Sequence, residues 1–211
     1  QDPIPAEGLD FADELLNHFD RLPVNEDGTP AYSNYSLAVL DTTRKGRDNI
    51  SMPICKTDGK NYYIIDCIFK KKGITDLYDE IVAKIEEHHI TWLAIENNTD
   101  TSLKTLLDEM LEKRGIFYCN ITEKYSTMVK ERRINQNQGT IRKMLYFKNK
   151  KDYKTNSDYG RFMKNLTTYS FDYPNRNDDA PDSATLFVTE IILQRGKPNK
   201  PKPLNRSLLG I

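Results

Sequence analysis

Asp58-Gly59 separates two apolar and aromatic runs, residues 49–56 and 61–69, and is the strongest short hairpin signal in the chain. A third such run, 35–41, precedes them and closes in the polar stretch Thr42-Thr43-Arg44-Lys45-Gly46, which reads as a strand ending in a turn. Strands that follow one another through short turns pair with their neighbours, so these three predict an antiparallel meander. That meander limits the fold more than any other feature, because everything after it must pack on a sheet already begun.

The periodicity then changes. Leu77, Ile81, Val82 and Ile85 recur at helical spacing over 75–88, with Thr75 placed to cap. The run 91–96 is short and apolar and stops abruptly at Glu96-Asn97-Asn98, as a buried parallel strand would. Leu103, Leu106, Leu107, Met110 and Leu111 lie on one face of a second helix over 101–114, ended by Gly115. A fifth strand is expected at 116–121, a polar basic helix at 127–136, a short strand at 144–147, and helices at 158–169 and 182–194. Acids near its start suggest one short helix over 11–19 in the opening segment. The expected fold is therefore α/β: a mixed five-stranded sheet, three antiparallel strands then parallel ones, with helices on both faces. This is the element order of the RNase H-like fold.

With 211 residues, 37% of them hydrophobic, the chain can bury one core despite a mean hydropathy of −0.70. We expect an acidic arm over 1–34, the core domain over 35–194 and a basic, proline-containing tail over 195–211. No apolar run reaches bilayer length, and the first residues, Gln1-Asp2-Pro3, resemble no export signal, so a non-secreted, cytosolic chain with no membrane contact is expected. The absent initiator Met allows an excised piece of a longer polypeptide. Cys55, Cys67 and Cys119 are odd in number and sit in apolar runs, which favours core packing over disulfides or a zinc site. His18, His88 and His89 lack the spacing of a metal pair, and no GxxxxGK[ST] loop is present to cradle ATP.

Charge is balanced overall, with 31 bases and 31 acids, but it is unevenly spread. The first 34 residues carry eight acids against Arg21 alone, whereas 124–154 hold ten bases and two acids. Such asymmetry points to a polyanion for the basic part, with a solvated basic face as the alternative. Lys130 and Arg133 share a predicted helical face, and Arg142, Lys143 and Lys148 follow on a predicted strand and loop. Together they form a candidate track for DNA phosphates.

What remains for chemistry is a set of carboxylates at element ends. Asp41 closes the first strand, Glu96 closes the fourth, and Asn177-Asp178-Asp179-Ala-Pro-Asp182 opens the last helix. If the two strands are neighbours, their acids leave the sheet at one edge, and a helix N-terminus can bring another beside them. Three carboxylates so placed repel one another unless cations neutralise them, and hard oxygen donors suit Mg²⁺ or Mn²⁺. Two such ions can activate water and stabilise the leaving oxygen of a phosphodiester. Singly, each acid also reads as a turn cap, a surface residue or a helix N-cap.

Four short runs, Leu40-Asp41-Thr-Thr-Arg-Lys-Gly46-Arg-Asp48, Ala94-Ile95-Glu96-Asn97-Asn98, Lys130-Glu-Arg-Arg133-Ile134 and Asn177-Asp178-Asp179-Ala-Pro-Asp182-Ser, occur in the order found in one family. The chain resembles, from about residue 1 to about 190, the C-terminal nuclease domain of the large terminase subunit of tailed double-stranded DNA phages. The resemblance implies an RNase H-like fold and two-metal cleavage of concatemeric double-stranded DNA. It implies catalytic, metal-binding roles for Asp41, Glu96 and Asp179, with Asp178 and Asp182 as further metal residues, and Asp182, three residues on, able to exchange roles with Asp179. It also implies the portal protein and the small terminase subunit as partners, the host cytoplasm as the place of work, and a separate ATPase domain joined near Gln1-Asp2-Pro3. Asn177 stands where some relatives carry histidine. Two other readings remain open at this point: a junction resolvase or transposase-type nuclease on the same fold, and a non-catalytic DNA-binding module.

Overall fold

The computed structural model describes residues 8–42, 48–96, 102–125, 128–172 and 178–193. In chain order the elements are β1 (Asn17–Phe19), β2 (Ser36–Asp41), β3 (Ile50–Thr57), β4 (Tyr62–Lys70), α1 (Tyr78–Glu87), β5 (Ile90–Glu96) and α2 (Leu103–Lys113). They continue with β6 (Asn120–Lys124), α3 (Lys130–Met144), β7 (Leu145–Lys148), α4 (Asp158–Thr167) and α5 (Asp179–Phe187), which runs on into a π-helical turn, Val188–Ile192. The strands form one mixed sheet of order β1-β7-β4-β3-β2-β5-β6.

The meander is present as expected. β2 and β3 pair antiparallel, as do β3 and β4, and Gly59 adopts a φ of 94° in the turn between the latter pair. That value favours glycine, and Asp58 Oδ1 holds the turn by accepting from the amides of Lys60 and Asn61. Beyond the meander, β5 lies parallel to β2, and β6 parallel to β5. β2 is buried on both sides. Leu37 and Val39 enter the core that also holds α3, α4 and α5 side chains, and Ala38 and Leu40 enter the core beneath α1 and α2. Alternation with period two on a strand covered by helices explains its unbroken apolar run. Each Leu or Val so buried stabilises the fold by about 1.5–3 kcal/mol.

Five expectations are corrected. The sheet has seven strands and not five, because the short strand expected at 144–147 joins it as β7 and β1 adds to β7, where a helix over 11–19 was expected. There the chain makes only a 3₁₀ turn, Asp13–Leu15, before Asn17–Phe19 pairs with 146–148. Phe11 and Leu16, from the segment read as an acidic arm, are core residues. β6 starts at Asn120 because 114–116 are used to finish α2: Gly115 turns at φ 72° and the Ile116 amide bonds Leu111 O. α3 runs on to Met144, so Arg142 and Lys143 are in its last turn and not on a strand. α5 begins three residues early, at Asp179, with Pro181 accommodated in the first turn, where its missing N–H costs nothing. The tail 195–211 and Asn177 lie outside the described residues.

Candidate metal centre and active site

Asp41 and Glu96 are the last residues of two adjacent parallel strands and are Cα partners in the ladder. Both acids therefore leave the sheet at the same edge. Thr42 adds a bond across this end, its hydroxyl donating to Glu96 O at 3.1 Å. α5 supplies the third acid. Its first turn packs over β2 and β3, with Ser183 and Ser51 hydroxyls 2.7 Å apart and the Ala180 amide donating to Asn165 Oδ1. Small residues at 180, 183 and 184 let the helix approach the sheet so closely.

Carboxylate oxygens of Asp41, Glu96 and Asp182 all lie within 4.8 Å of one another. Glu96 and Asp182 are 4% and 3% exposed. Asp179, assigned from the motif to the metal, is equally buried but turned aside: its Oδ2 accepts from the amide and the side-chain Nδ2 of Asn49, at 3.0 and 2.9 Å. Asp182, read from the sequence as a further metal residue, is the one that completes the trio. The two are three apart and so share a helix side, which is why sequence alone did not separate them.

Lys130 and Arg133 do not lie on an open phosphate track, and this corrects their expected placement. Arg133 is 9% exposed, donating through Nη1 to Glu96 Oε1 at 2.7 Å and through Nη2 to Asp182 Oδ1 at 2.6 Å. Lys130 Nζ stands 2.8 Å from Asp178 Oδ1, 3.3 Å from Asp182 Oδ2 and 3.7 Å from Asp179 Oδ1. A concentration of carboxylates has drawn both cations inward. Of the other three, Arg142 donates to Asp10 O, Lys148 lies over the Tyr159 ring, and Lys143 is exposed.

Among the described residues, negative charge dominates even with these cations. Burial, together with the charges of Asp182, Glu96 and Asp179, raises the Asp41 carboxyl well above the ordinary range against the pull of Lys130. Asp182 is also raised by burial, although Lys130 and Arg133 oppose it. Burial alone would lower Lys130, but Asp182, Asp41 and Asp178 outweigh it and hold the ammonium above its usual range. An all-oxygen donor set with uncompensated negative charge fits a hard divalent cation. A cleft of about 540 Å³ opens beside the cluster, walled by Glu96, Arg133, Lys124, Tyr125, Gln136 and Leu186, and gives it access to solvent.

A second trio of ligand types, Asp66, Glu87 and His88, meets the same 4.8 Å limit on the opposite helical layer. Here Lys84 Nζ sits 2.6 Å from Asp66 Oδ2 and 2.7 Å from Glu87 Oε2, and His88 Nε2 lies 2.9 Å from Asp66 Oδ2. Although burial opposes it, the bonds from His88 and Lys84 hold the Asp66 carboxyl well below the ordinary range. Of the cysteines, Cys55 and Cys67 are free thiols in the core and Cys119 is a partly buried one.

A mixed sheet of this order, with acids at the carboxyl ends of two adjoining parallel strands and a third on a crossing helix, defines an RNase H-like domain. Within that class, residues 40–144 match the family described as Terminase Bacteriophage T7, Ribonuclease H-like domain. Among solved structures, the P22 large terminase nuclease domain shares the fold at a TM-score of 0.53 and 11% identity, over 91% of this chain and 90% of that one. The human cytomegalovirus terminase nuclease domain, Mn-soaked and inhibitor-bound, matches at 0.56 and 8% identity, over 87% of this chain and 96% of that one. The large terminase of a thermophilic bacteriophage matches at 0.53 and 12%, over 85% of this chain, which spans 44% of that protein's length. No curated protein matches the chain significantly in sequence. No described helix is long and apolar enough to cross a membrane.

Proposed function

We propose that this chain is the metal-dependent endonuclease domain of a viral DNA-packaging terminase, which cuts concatemeric double-stranded DNA in the host cytoplasm. The observation that carries the reading is the trio Asp41, Glu96 and Asp182, brought within 4.8 Å at one sheet edge of a terminase-type fold. Asp41, Glu96 and Asp182 would hold divalent ions, Mg²⁺ or Mn²⁺. When bound, a pair of such ions would activate a water molecule and neutralise the leaving oxygen of a phosphodiester. Manganese in the cytomegalovirus nuclease domain supports this assignment.

The chain's own residues supply placement. The β2–β5 ladder fixes the separation of Asp41 and Glu96, Asn49 holds Asp179, and Arg133 ties Glu96 to Asp182. The cleft beside Glu96 offers room for a substrate strand next to the acids. Portal protein and small terminase subunit are the proposed partners, and an ATPase domain the proposed companion on a longer chain. The test is a divalent-metal titration of cleavage, with linear duplex and four-way junctions as substrates. We expect Mg²⁺- or Mn²⁺-dependent cutting of the duplex, absent in Asp41→Asn. Preference for junctions would replace the terminase reading with a resolvase, and no cutting at any metal concentration would leave a binding module.

A further inference from the structure

The site contains two side-chain cations from one helix, one turn apart, and they are held differently. Arg133 is buried, and its planar fork gives one nitrogen to each of two acids from different elements, at 2.7 and 2.6 Å. Such a pre-organised bidentate clamp fixes direction as well as charge. Lys130 is the first residue of α3, half-buried, and follows exposed Met128 and Val129. A cation at a helix N-terminus faces the positive end of the dipole, so only the surrounding acids favour its position. Its flexible stem and point charge allow it to leave without disturbing the helix.

We propose that α3 supplies two resident cations of opposite effect: Arg133 is a positioning residue that ties Glu96 to Asp182, and Lys130 is a tethered ammonium that competes with a divalent cation for Asp182. The inference rests on the metal reading above and deepens it. The two oxygens of Asp182 are divided between them, Oδ1 to Arg133 and Oδ2 to Lys130 at 3.3 Å. A divalent ion at about 2.1 Å from Oδ2 would lie within about 5.5 Å of the Lys130 nitrogen, too close for two positive charges to share that oxygen. Arg133 can stay, because its contacts use other oxygens. Metal entry is therefore coupled to withdrawal of Lys130.

Mn²⁺ binding to the full chain, followed by the electron paramagnetic resonance of free Mn²⁺, tests this without reference to cleavage. Lys130→Met should bind Mn²⁺ about tenfold more tightly than wild type, because a competing charge is removed and no ligand is lost. Arg133→Gln and Arg133→Lys should both bind about tenfold more weakly, although the first removes a positive charge and the second keeps it, because neither reproduces the fork. A Lys130→Met affinity equal to or below wild type would overturn the competition. Tighter binding by Arg133→Gln, or wild-type binding by Arg133→Lys, would show that Arg133 acts as charge alone and overturn its positioning role. Should Arg133→Gln fail to fold, as judged by near-ultraviolet circular dichroism, Arg133→Lys decides that half. Absence of Mn²⁺ binding in wild type and Lys130→Met alike would remove the metal reading itself, a result distinct from equal binding by the two.

Discussion

Among the described residues, two clusters bring metal-ligand atoms equally close together, and they differ in electrostatic sign. At Asp66, Lys84 and His88 converge on a carboxyl, while Glu87, on the exposed side, shares the same lysine. At Asp41, five described acids (Asp41, Glu96, Asp178, Asp179 and Asp182) face two described cations. The first carboxyl is pulled well below its ordinary range and the other pushed well above it. Proximity of ligand-type atoms is thus shared by a structural ion-pair network and a catalytic candidate, and only the balance of charge separates them.

The largest expected difference between the clusters is in cleavage. Asp41→Asn, Glu96→Gln and Asp182→Asn should each reduce Mn²⁺-dependent cutting by roughly a hundredfold or more, whereas Asp66→Asn leaves it near wild type. Asp179→Asn should cost less, about tenfold, since its role is to hold Asn49. A loss equal to that of Asp182→Asn would return Asp179 to the metal, as its motif suggests.

Next in size is a pair of stability changes with opposite signs, read by urea unfolding in EDTA at neutral pH. Asp66→Asn should destabilise by about 1–3 kcal/mol, because it removes the carboxylate on which Lys84 and His88 converge and leaves Lys84 only the exposed Glu87. Asp41→Asn should instead stabilise by about 1 kcal/mol, since it relieves repulsion among buried carboxylates. The same sign for both would erase the distinction.

The smallest effect is the pH profile of stability in EDTA. Asp66 is depressed below its ordinary value of 3.8, so its contribution is complete above about pH 4 and is lost as pH falls further. Asp41 is raised above 3.8, so its effect runs the other way: stability is fullest below that value and declines as pH rises through the folded-state value. Asp66→Asn should flatten the acid limb of the profile, and Asp41→Asn the limb on its alkaline side.

Local chemistry made much of this legible. An apolar run that stops at an acid marks both β2 and β5, and Asp58-Gly59 marks the turn that orders the meander. Less visible were features whose cause lies far along the chain. Asn17–Phe19 is too short to carry a period, and its partner is more than a hundred residues away. α3 carries Asn135, Asn137, Gly139 and Thr140 in its middle, and their weak propensity hid its last two turns, which Ile141 secures in the core. Arg133 looked like a surface base because nothing nearby in sequence shows that two acids from other elements enclose it. Asp179 and Asp182 are equivalent in spacing, and only Asn49, from the start of β3, tells them apart.

The parallel ladder between β2 and β5 also acts as a ruler. Neighbouring strands stand about 4.8 Å apart whatever their side chains, because peptide hydrogen bonds set that spacing. Since Asp41 and Glu96 are ladder partners, the gap between their Cα atoms is inherited from the backbone and not from the packing of particular residues. Core residues can be exchanged wholesale without recalibrating it. A fold shared with solved structures at 8–12% identity can therefore keep this spacing, because the backbone sets it.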